Sequence, residues 1–152
     1  MKAYLKTIAT HTRGRRYDVT PLFADRQAFK LLVKELTAPF RKSKIDGVAC
    51  IDALGFILGT AIALELGKRI IPLRKSGKLP VPADHATFRD YTGRRKALEL
   101  RKGSIRSGDN ILLVDEWIET GAQINAAVRL IQRQKGKIAG IASINMDKNR
   151  ST

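Results

Sequence analysis

Apolar positions along this chain fall into short strand-like runs separated by stretches with helical spacing. In residues 1–24, Ala3-Tyr4-Leu5-Lys6-Thr7-Ile8 reads as an extended entry strand, followed by a turn at Gly14-Arg15-Arg16. Asp25 is a candidate N-cap, and Phe29, Leu32, Val33 and Leu36 then recur at helical spacing until Pro39 stops the pattern. Ile45 to Ile51 is a short apolar run with β-favouring Val48 and Ile51, the pattern of a buried strand. Asp52-Ala53-Leu54-Gly55 makes a turn, Phe56 to Leu66 a helix closed by Gly67, and Ile70-Ile71-Pro72-Leu73 another short strand. Residues 74–95 carry no clear periodicity, and so long a polar stretch predicts a mobile functional loop. Ala97 to Leu100 reads as an edge hairpin strand. After the turn Gly108-Asp109-Asn110, Ile111 to Val114 is the most strand-like run in the chain. Thr120 to Lys135 predicts a helix with Ile124, Ala127, Val128 and Ile131 on one face, and Ile138 to Ile144 a final strand.

This β-α-β-loop-β-α-β order predicts an α/β fold: a mostly parallel central sheet flanked by helices, with a flexible loop over the site. No repeat or boundary divides residues 1–152, so one domain is expected. The 152 residues are 43% hydrophobic and 28% charged, which allows a sizeable core and argues against disorder. The lone Cys50 excludes a disulfide scaffold and makes reducing cytoplasm the simplest compartment. Ala53 to Leu66 is too short for a membrane span and the N-terminus lacks an apolar leader, so neither membrane nor export is expected.

Charge changes the picture. Lys and Arg number 29 against 14 Asp and Glu, a net +15. That excess attracts polyanions, whether nucleic acid, a membrane surface or a small phosphorylated substrate.

The candidate chemistry sits where ligands bind in open parallel sheets, beyond the carboxyl ends of strands. Asp115-Glu116 directly follows the strand 111–114. Adjacent carboxylates there accept hydrogen bonds from vicinal hydroxyls, as on a ribose. Thr120-Gly121-Ala122-Gln123 enters a helix, offering free backbone N–H groups and the positive end of the helix dipole to a phosphate. Together they suit a ribose 5-phosphate; the bland alternative is a helix with a capping acid pair. Asp52 and Gly55 lie in a second strand-to-helix turn, where glycine permits close backbone approach to a ligand. Arg74, Lys75 and Lys78 follow the third strand and suit a second anionic group.

These residues resemble the type I phosphoribosyltransferases, and among them most the adenine phosphoribosyltransferases. Val114-Asp115-Glu116-Trp117-Ile118-Glu119-Thr120-Gly121-Ala122-Gln123 is similar to the family signature of an apolar strand, two acids and a Thr-Gly turn. Tyr17-Asp18-Val19-Thr20-Pro21-Leu22-Phe23, Asp46 to Phe56, Arg74-Lys75-Ser76-Gly77-Lys78-Leu79-Pro80 and Lys96-Ala97-Leu98-Glu99-Leu100 resemble further family segments in the same order. The resemblance implies a Rossmann-like fold and transfer of 5-phosphoribosyl from phosphoribosyl pyrophosphate to a purine base. It further implies Mg²⁺ carried mainly by the substrate pyrophosphate, and a homodimer. Asp115 and Glu116 would hold the ribose hydroxyls, and Thr120, Gly121, Ala122 and Gln123 the 5-phosphate. Arg74, Lys75 and Lys78 would contact the pyrophosphate, and Asp90, beside Tyr91, would assist proton transfer at the base.

The chain also departs from the family. Glu116 stands where a second Asp is usual, and Glu119, Ala122 and Gln123 replace three residues of the phosphate turn. Leu54 replaces an Arg that contacts pyrophosphate, removing its cation and bidentate donors. Arg15, Arg16 and Tyr17 fall in the base-binding segment, where Tyr17 stacks on a base or simply packs. His11 and His85 lack metal-ligand spacing, so no protein-held metal is expected. Trp117 walls the ribose site or packs in the core. Arg94, Arg95, Lys96, Arg101, Lys102 and Arg106 read as a solvated basic face, and as the best candidate for contact with nucleic acid. The departures leave open a non-enzymatic regulator that senses phosphoribosyl pyrophosphate or a nucleotide and binds nucleic acid through that face.

Overall fold

Two unbroken apolar strands, β1 (Gly47–Ile51) and β5 (Asn110–Val114), lie parallel at the centre of the sheet, with Ala49 opposite Leu113. In the computed structural model, which describes residues 3–12 and 17–147, both strands are covered on both faces. Alternation along them divides the core in two. Ala49, Ile51, Ile111 and Leu113 face one layer with α4 (Ala122–Arg133); Val48, Cys50, Leu112 and Val114 face the other with α2 (Arg26–Thr37) and α3 (Leu54–Leu66). Each fully buried Leu or Ile in these layers contributes about 1.5–3 kcal/mol.

Outward from β1 comes β2 (Arg69–Lys75), parallel to it, and outward from β5 comes β7 (Lys137–Ala142), also parallel. The antiparallel hairpin β3 (Ala83–Arg89) and β4 (Arg95–Arg101) completes a six-stranded sheet in the order β3-β4-β2-β1-β5-β7. Two small strands, β6 (Trp117–Ile118) and β8 (Asn145–Met146), pair parallel beside it. A short helix, α1 (Thr20–Ala24), precedes α2. Asp25 caps α2 as expected, its Oδ1 accepting from the N–H groups of Gln27 and Ala28 at 2.9 Å each.

Several expectations need correction. Ala3–Thr7 is a 3-10 turn, not a strand: Thr7 Oγ1 donates to the Tyr4 carbonyl at 2.7 Å, and Tyr4 and Ile8 pack on the α2–α3 side of the core. The Gly14-Arg15-Arg16 turn lies outside the described residues. The stretch 74–95 is not one long loop, because the end of β2, all of β3 and the first residue of β4 fall within it. Strand β3 escapes periodicity because it is a polar edge strand. Arg129 and Arg133 of α4 donate to its outward carbonyls at Thr87 (2.8 Å) and His85 (2.9 Å), blocking that edge. Strand β4, expected at an edge, lies between β3 and β2. Helix α3 begins at Leu54 rather than Phe56, and α4 at Ala122 rather than Thr120. Among the described residues, no helix is long and apolar enough to cross a membrane.

Candidate active site

The parallel pairing of β1 and β5 brings their carboxyl ends together, and both chains turn there into the site. After β1, the Asp52 N–H donates to the Leu73 carbonyl at 3.0 Å, the Asp52–Ala53 peptide is cis, and Leu54 opens α3. After β5, Asp115 is 3% exposed. Its Oδ1 accepts the Glu116 N–H at 3.0 Å, and its Oδ2 accepts the Gln123 side-chain amide at 2.9 Å. Burial, followed by the neighbouring Glu116, pushes the Asp115 pKa well above the usual carboxylate range. Glu116 is half-buried beside it.

Gly55 makes a close approach within the protein itself. A Cβ there would sit 3.2 Å from Asp115 Oδ1 and 3.3 Å from the Val114 carbonyl, so its close approach is to the end of β5. The missing side chain lets the first turn of α3 press directly on the acid pair.

A cavity of about 290 Å³ opens over these ends, its walls including Asp52, Leu54, Lys75, Phe88, Asp90, Lys96, Asp115, Glu116, Trp117, Glu119, Thr120, Gly121 and Gln123. Helix α4 starts from Gly121, whose φ of 72° is left-handed and which has no side chain to cap the helix; the Thr120 hydroxyl accepts the Ala122 N–H at 3.4 Å. A second hollow of about 270 Å³ shares Leu54, Glu116 and Trp117 with the first and adds Thr12, Tyr17, Asp18 and Val19. There Tyr17 meets Trp117 edge-to-face at 5.6 Å, and the indole N–H donates to Asp147 Oδ1 at 3.1 Å.

The structure thus gathers Asp52, Lys75, Asp90, Asp115, Glu116, Thr120, Gly121 and Gln123 around one cavity, with Tyr17 in the adjoining hollow. Arg74, Lys78, Gly55 and Ala122 are not among the lining residues. Arg74 instead pairs through Nε with Asp52 Oδ2 at 3.2 Å, and Lys78 is exposed. The Gln123 amide, expected to donate to phosphate, is committed to Asp115. Asp90 sits at the tip of the β3–β4 hairpin. Its carboxylate pairs with Lys96 Nζ at 2.7 Å and accepts from the Thr92 hydroxyl and N–H and the Arg94 N–H. Lys96 and Thr92 above all hold its pKa far below the usual range, so in this arrangement it is ionised, its oxygens are engaged, and it is a weak base. Lys96 is the residue the sequence reading missed: assigned to a solvated basic face, it points into the cavity because the hairpin folds back over the site.

The phosphoribosyl transferase domain model matches residues 23–152. The chain belongs to the phosphoribosyltransferase family. An adenine phosphoribosyltransferase of Halothermothrix orenii is 38% identical over 124 residues, 82% of this chain and 72% of that one. One from Cereibacter sphaeroides is 35% identical over 146 residues, covering 95% and 82%. The solved adenine phosphoribosyltransferase of Rhodothermus marinus superposes with a TM-score of 0.85 at 29% identity, over 92% of this chain and 82% of that one. The Saccharomyces cerevisiae enzyme, solved with an imino-altritol bisphosphate and adenine, gives 0.84 at 27% identity, over 95% and 86%. Against this family background, Leu54 lies in the wall between the two hollows, and Glu119 lines the cavity beside the Thr120-Gly121 turn. Gln123 contacts the acid pair through its side chain, a contact visible only once α4 is docked on β5.

Proposed function

We propose that this phosphoribosyltransferase transfers the 5-phosphoribosyl group of phosphoribosyl pyrophosphate to adenine, releasing pyrophosphate in purine salvage. Its family makes it a glycosyltransferase of the purine type. The names of its relatives support adenine as the base. The observation that carries the reading is the buried Asp115 with Glu116 at the end of β5, facing the N-terminus of α4, where the Ala122 N–H has only a long 3.4 Å contact to the Thr120 hydroxyl. In this reading the 2′ and 3′ hydroxyls donate to Asp115 and Glu116. The 5-phosphate accepts from backbone N–H groups at Gly121, Ala122 and Gln123 and from the Thr120 hydroxyl.

The base enters the hollow of Tyr17, Leu54 and Trp117, and the pyrophosphate meets the Asp52–Leu54 turn with Arg74, Lys75 and Lys78. The C1′–oxygen bond to pyrophosphate breaks, the C1′–N9 bond forms, and the N9 proton leaves to Asp90 once its carboxylate lets go of Lys96, the partner that keeps it weakly basic. Charge at the leaving pyrophosphate is then the main demand on the protein, and Lys75 and the turn N–H groups answer it. Mg²⁺ supplies further neutralisation of the pyrophosphate when bound. The pyrophosphate itself would carry most of the ion's ligands, with Asp52 at the turn the carboxylate placed to join them. The outward side of α3 exposes Ile57 (45%) and Leu64 (76%), an apolar stripe that supports a homodimer. The whole chain then acts as one domain in the cytoplasm, with Cys50 a buried thiol.

Phosphoribosyl pyrophosphate with Mg²⁺ raises the melting temperature, because a ligand that binds only the native state stabilises it. Asp115→Asn with Glu116→Gln abolishes that shift. A wild-type chain whose melting temperature ignores every ribose phosphate refutes the assignment.

A further inference from the structure

The connection from β2 to β3 is shaped by a buried carboxylate outside the substrate cavity. Glu99, on β4, is 2% exposed. Burying a carboxylate is costly unless its oxygens are satisfied. No cation but His85 lies within ion-pair distance of it among the described residues, and that contact is 3.8 Å to Nδ1 of a ring half in solvent. Satisfaction comes instead from consecutive backbone N–H groups: Gly77 donates to Oε2 at 3.0 Å, and Lys78 and Leu79 donate to Oε1 at 2.7 and 2.5 Å. Converging N–H groups of this kind form an anion nest, here filled by the protein's own side chain.

Ser76, Gly77 and Lys78 are exposed, and only Leu79 is even half-buried, so the turn has little apolar packing to hold it. Its shape depends on the carboxylate beneath it. Glu99 lies opposite Arg74 in the β2–β4 register and opposite His85 in the β3–β4 register, which puts it under the start of the turn. We propose that Glu99 is a positioning residue for the pyrophosphate end of the substrate: by folding Gly77–Leu79 onto itself it presents Lys75 and Lys78 together. The proposal rests on the pyrophosphate placement made above. Burial alone would raise the Glu99 pKa, but the N–H donors of Gly77, Leu79 and Lys78, with His85, bring it below the ordinary glutamate value. The clamp is therefore anionic throughout the neutral range.

The test is a double-mutant cycle of Glu99→Gln and Lys78→Ala in the full chain, with Lys75→Ala alongside. It reads kcat and KM for phosphoribosyl pyrophosphate with Mg²⁺, and calorimetric Kd values for Mg-pyrophosphate and for adenosine monophosphate. Glu99→Gln raises the KM and the pyrophosphate Kd about tenfold, leaves kcat within about threefold and leaves the nucleotide Kd within about twofold. The double variant loses less than the product of the single losses, because both act through one turn. Glu99→Asp, which keeps the charge, recovers part of the pyrophosphate affinity. Equal losses for pyrophosphate and nucleotide, or strictly multiplicative losses, overturn the proposal. Silent Glu99→Gln with damaging lysine variants overturns the clamp alone; silent lysine variants overturn the pyrophosphate placement and the clamp with it. Should Glu99→Gln fail to fold, hydrogen exchange on the wild type decides: the amides of Gly77, Lys78 and Leu79 exchange slowly despite their exposed setting, and fast exchange refutes the clamp.

Discussion

Replacing Gln123 by alanine removes the amide that donates to Asp115 Oδ2 at 2.9 Å and leaves that buried carboxylate with Glu116, through its N–H and its side chain. A hydrogen bond to a charged acceptor contributes about 1.5–3 kcal/mol net, against about 0.5–1.5 kcal/mol for a neutral one. Where Asp115 is ionised, the variant should lose about 1.5–3 kcal/mol in urea denaturation, or about 3–12 °C in Tm for a chain of this size. The loss must also depend on pH in a fixed direction. The native Asp115 pKa lies above its unfolded value because burial and Glu116 disfavour the charge. The native state therefore holds that proton more readily, and stability falls as pH rises from the unfolded pKa through the native one. The Gln123 amide favours the charged form and opposes this shift; its removal raises the native pKa further. The deficit of the variant is therefore full above the native pKa and shrinks toward the neutral-bond value as Asp115 protonates on acidification. Denaturation curves collected from about pH 8 down to about pH 4 read this directly. A deficit under about 0.5 kcal/mol at the alkaline end, or one that grows as pH falls, refutes the account of the acid pair.

Two further outcomes follow from the cavity walls. Leu54→Arg restores a guanidinium between the two hollows and tightens Mg-pyrophosphate about tenfold by calorimetry, the effect of one charge-assisted contact; unchanged affinity moves the pyrophosphate away from the Asp52–Leu54 turn. Trp117 is the chain's only tryptophan and walls both hollows, so adenine or adenosine monophosphate shifts or quenches its emission on titration. Emission that ignores saturating nucleotide places the base elsewhere.

The acids Asp115 and Glu116 were legible in the sequence because their position is local: an apolar strand ends, and the next residues stand at the carboxyl edge of the sheet. The same holds for Thr120-Gly121, where the chain enters a helix. What stayed hidden depends on pairings across the fold. Strand β3 buries only Ala86, so periodicity read it as loop, and with it went the placement of Lys96, while Asp90 came from the family resemblance alone. Glu99 lies between Leu98 and Leu100, an alternation that predicts a solvent-facing side chain, yet the turn after β2 closes over it. The amide of Gln123 reads as a phosphate donor in isolation and finds Asp115 only because α4 packs against the end of β5.

The central claim is that the acid pair and the helix N-terminus together serve phosphoribosyl transfer to a purine. Steady-state release of pyrophosphate from phosphoribosyl pyrophosphate and Mg²⁺, measured against adenine, guanine, hypoxanthine, xanthine and pyrimidines, tests it most directly. The account predicts turnover with adenine, stoichiometric adenosine monophosphate, and loss of both in Asp115→Asn with Glu116→Gln. Tight binding of phosphoribosyl pyrophosphate with no pyrophosphate released for any base would contradict it.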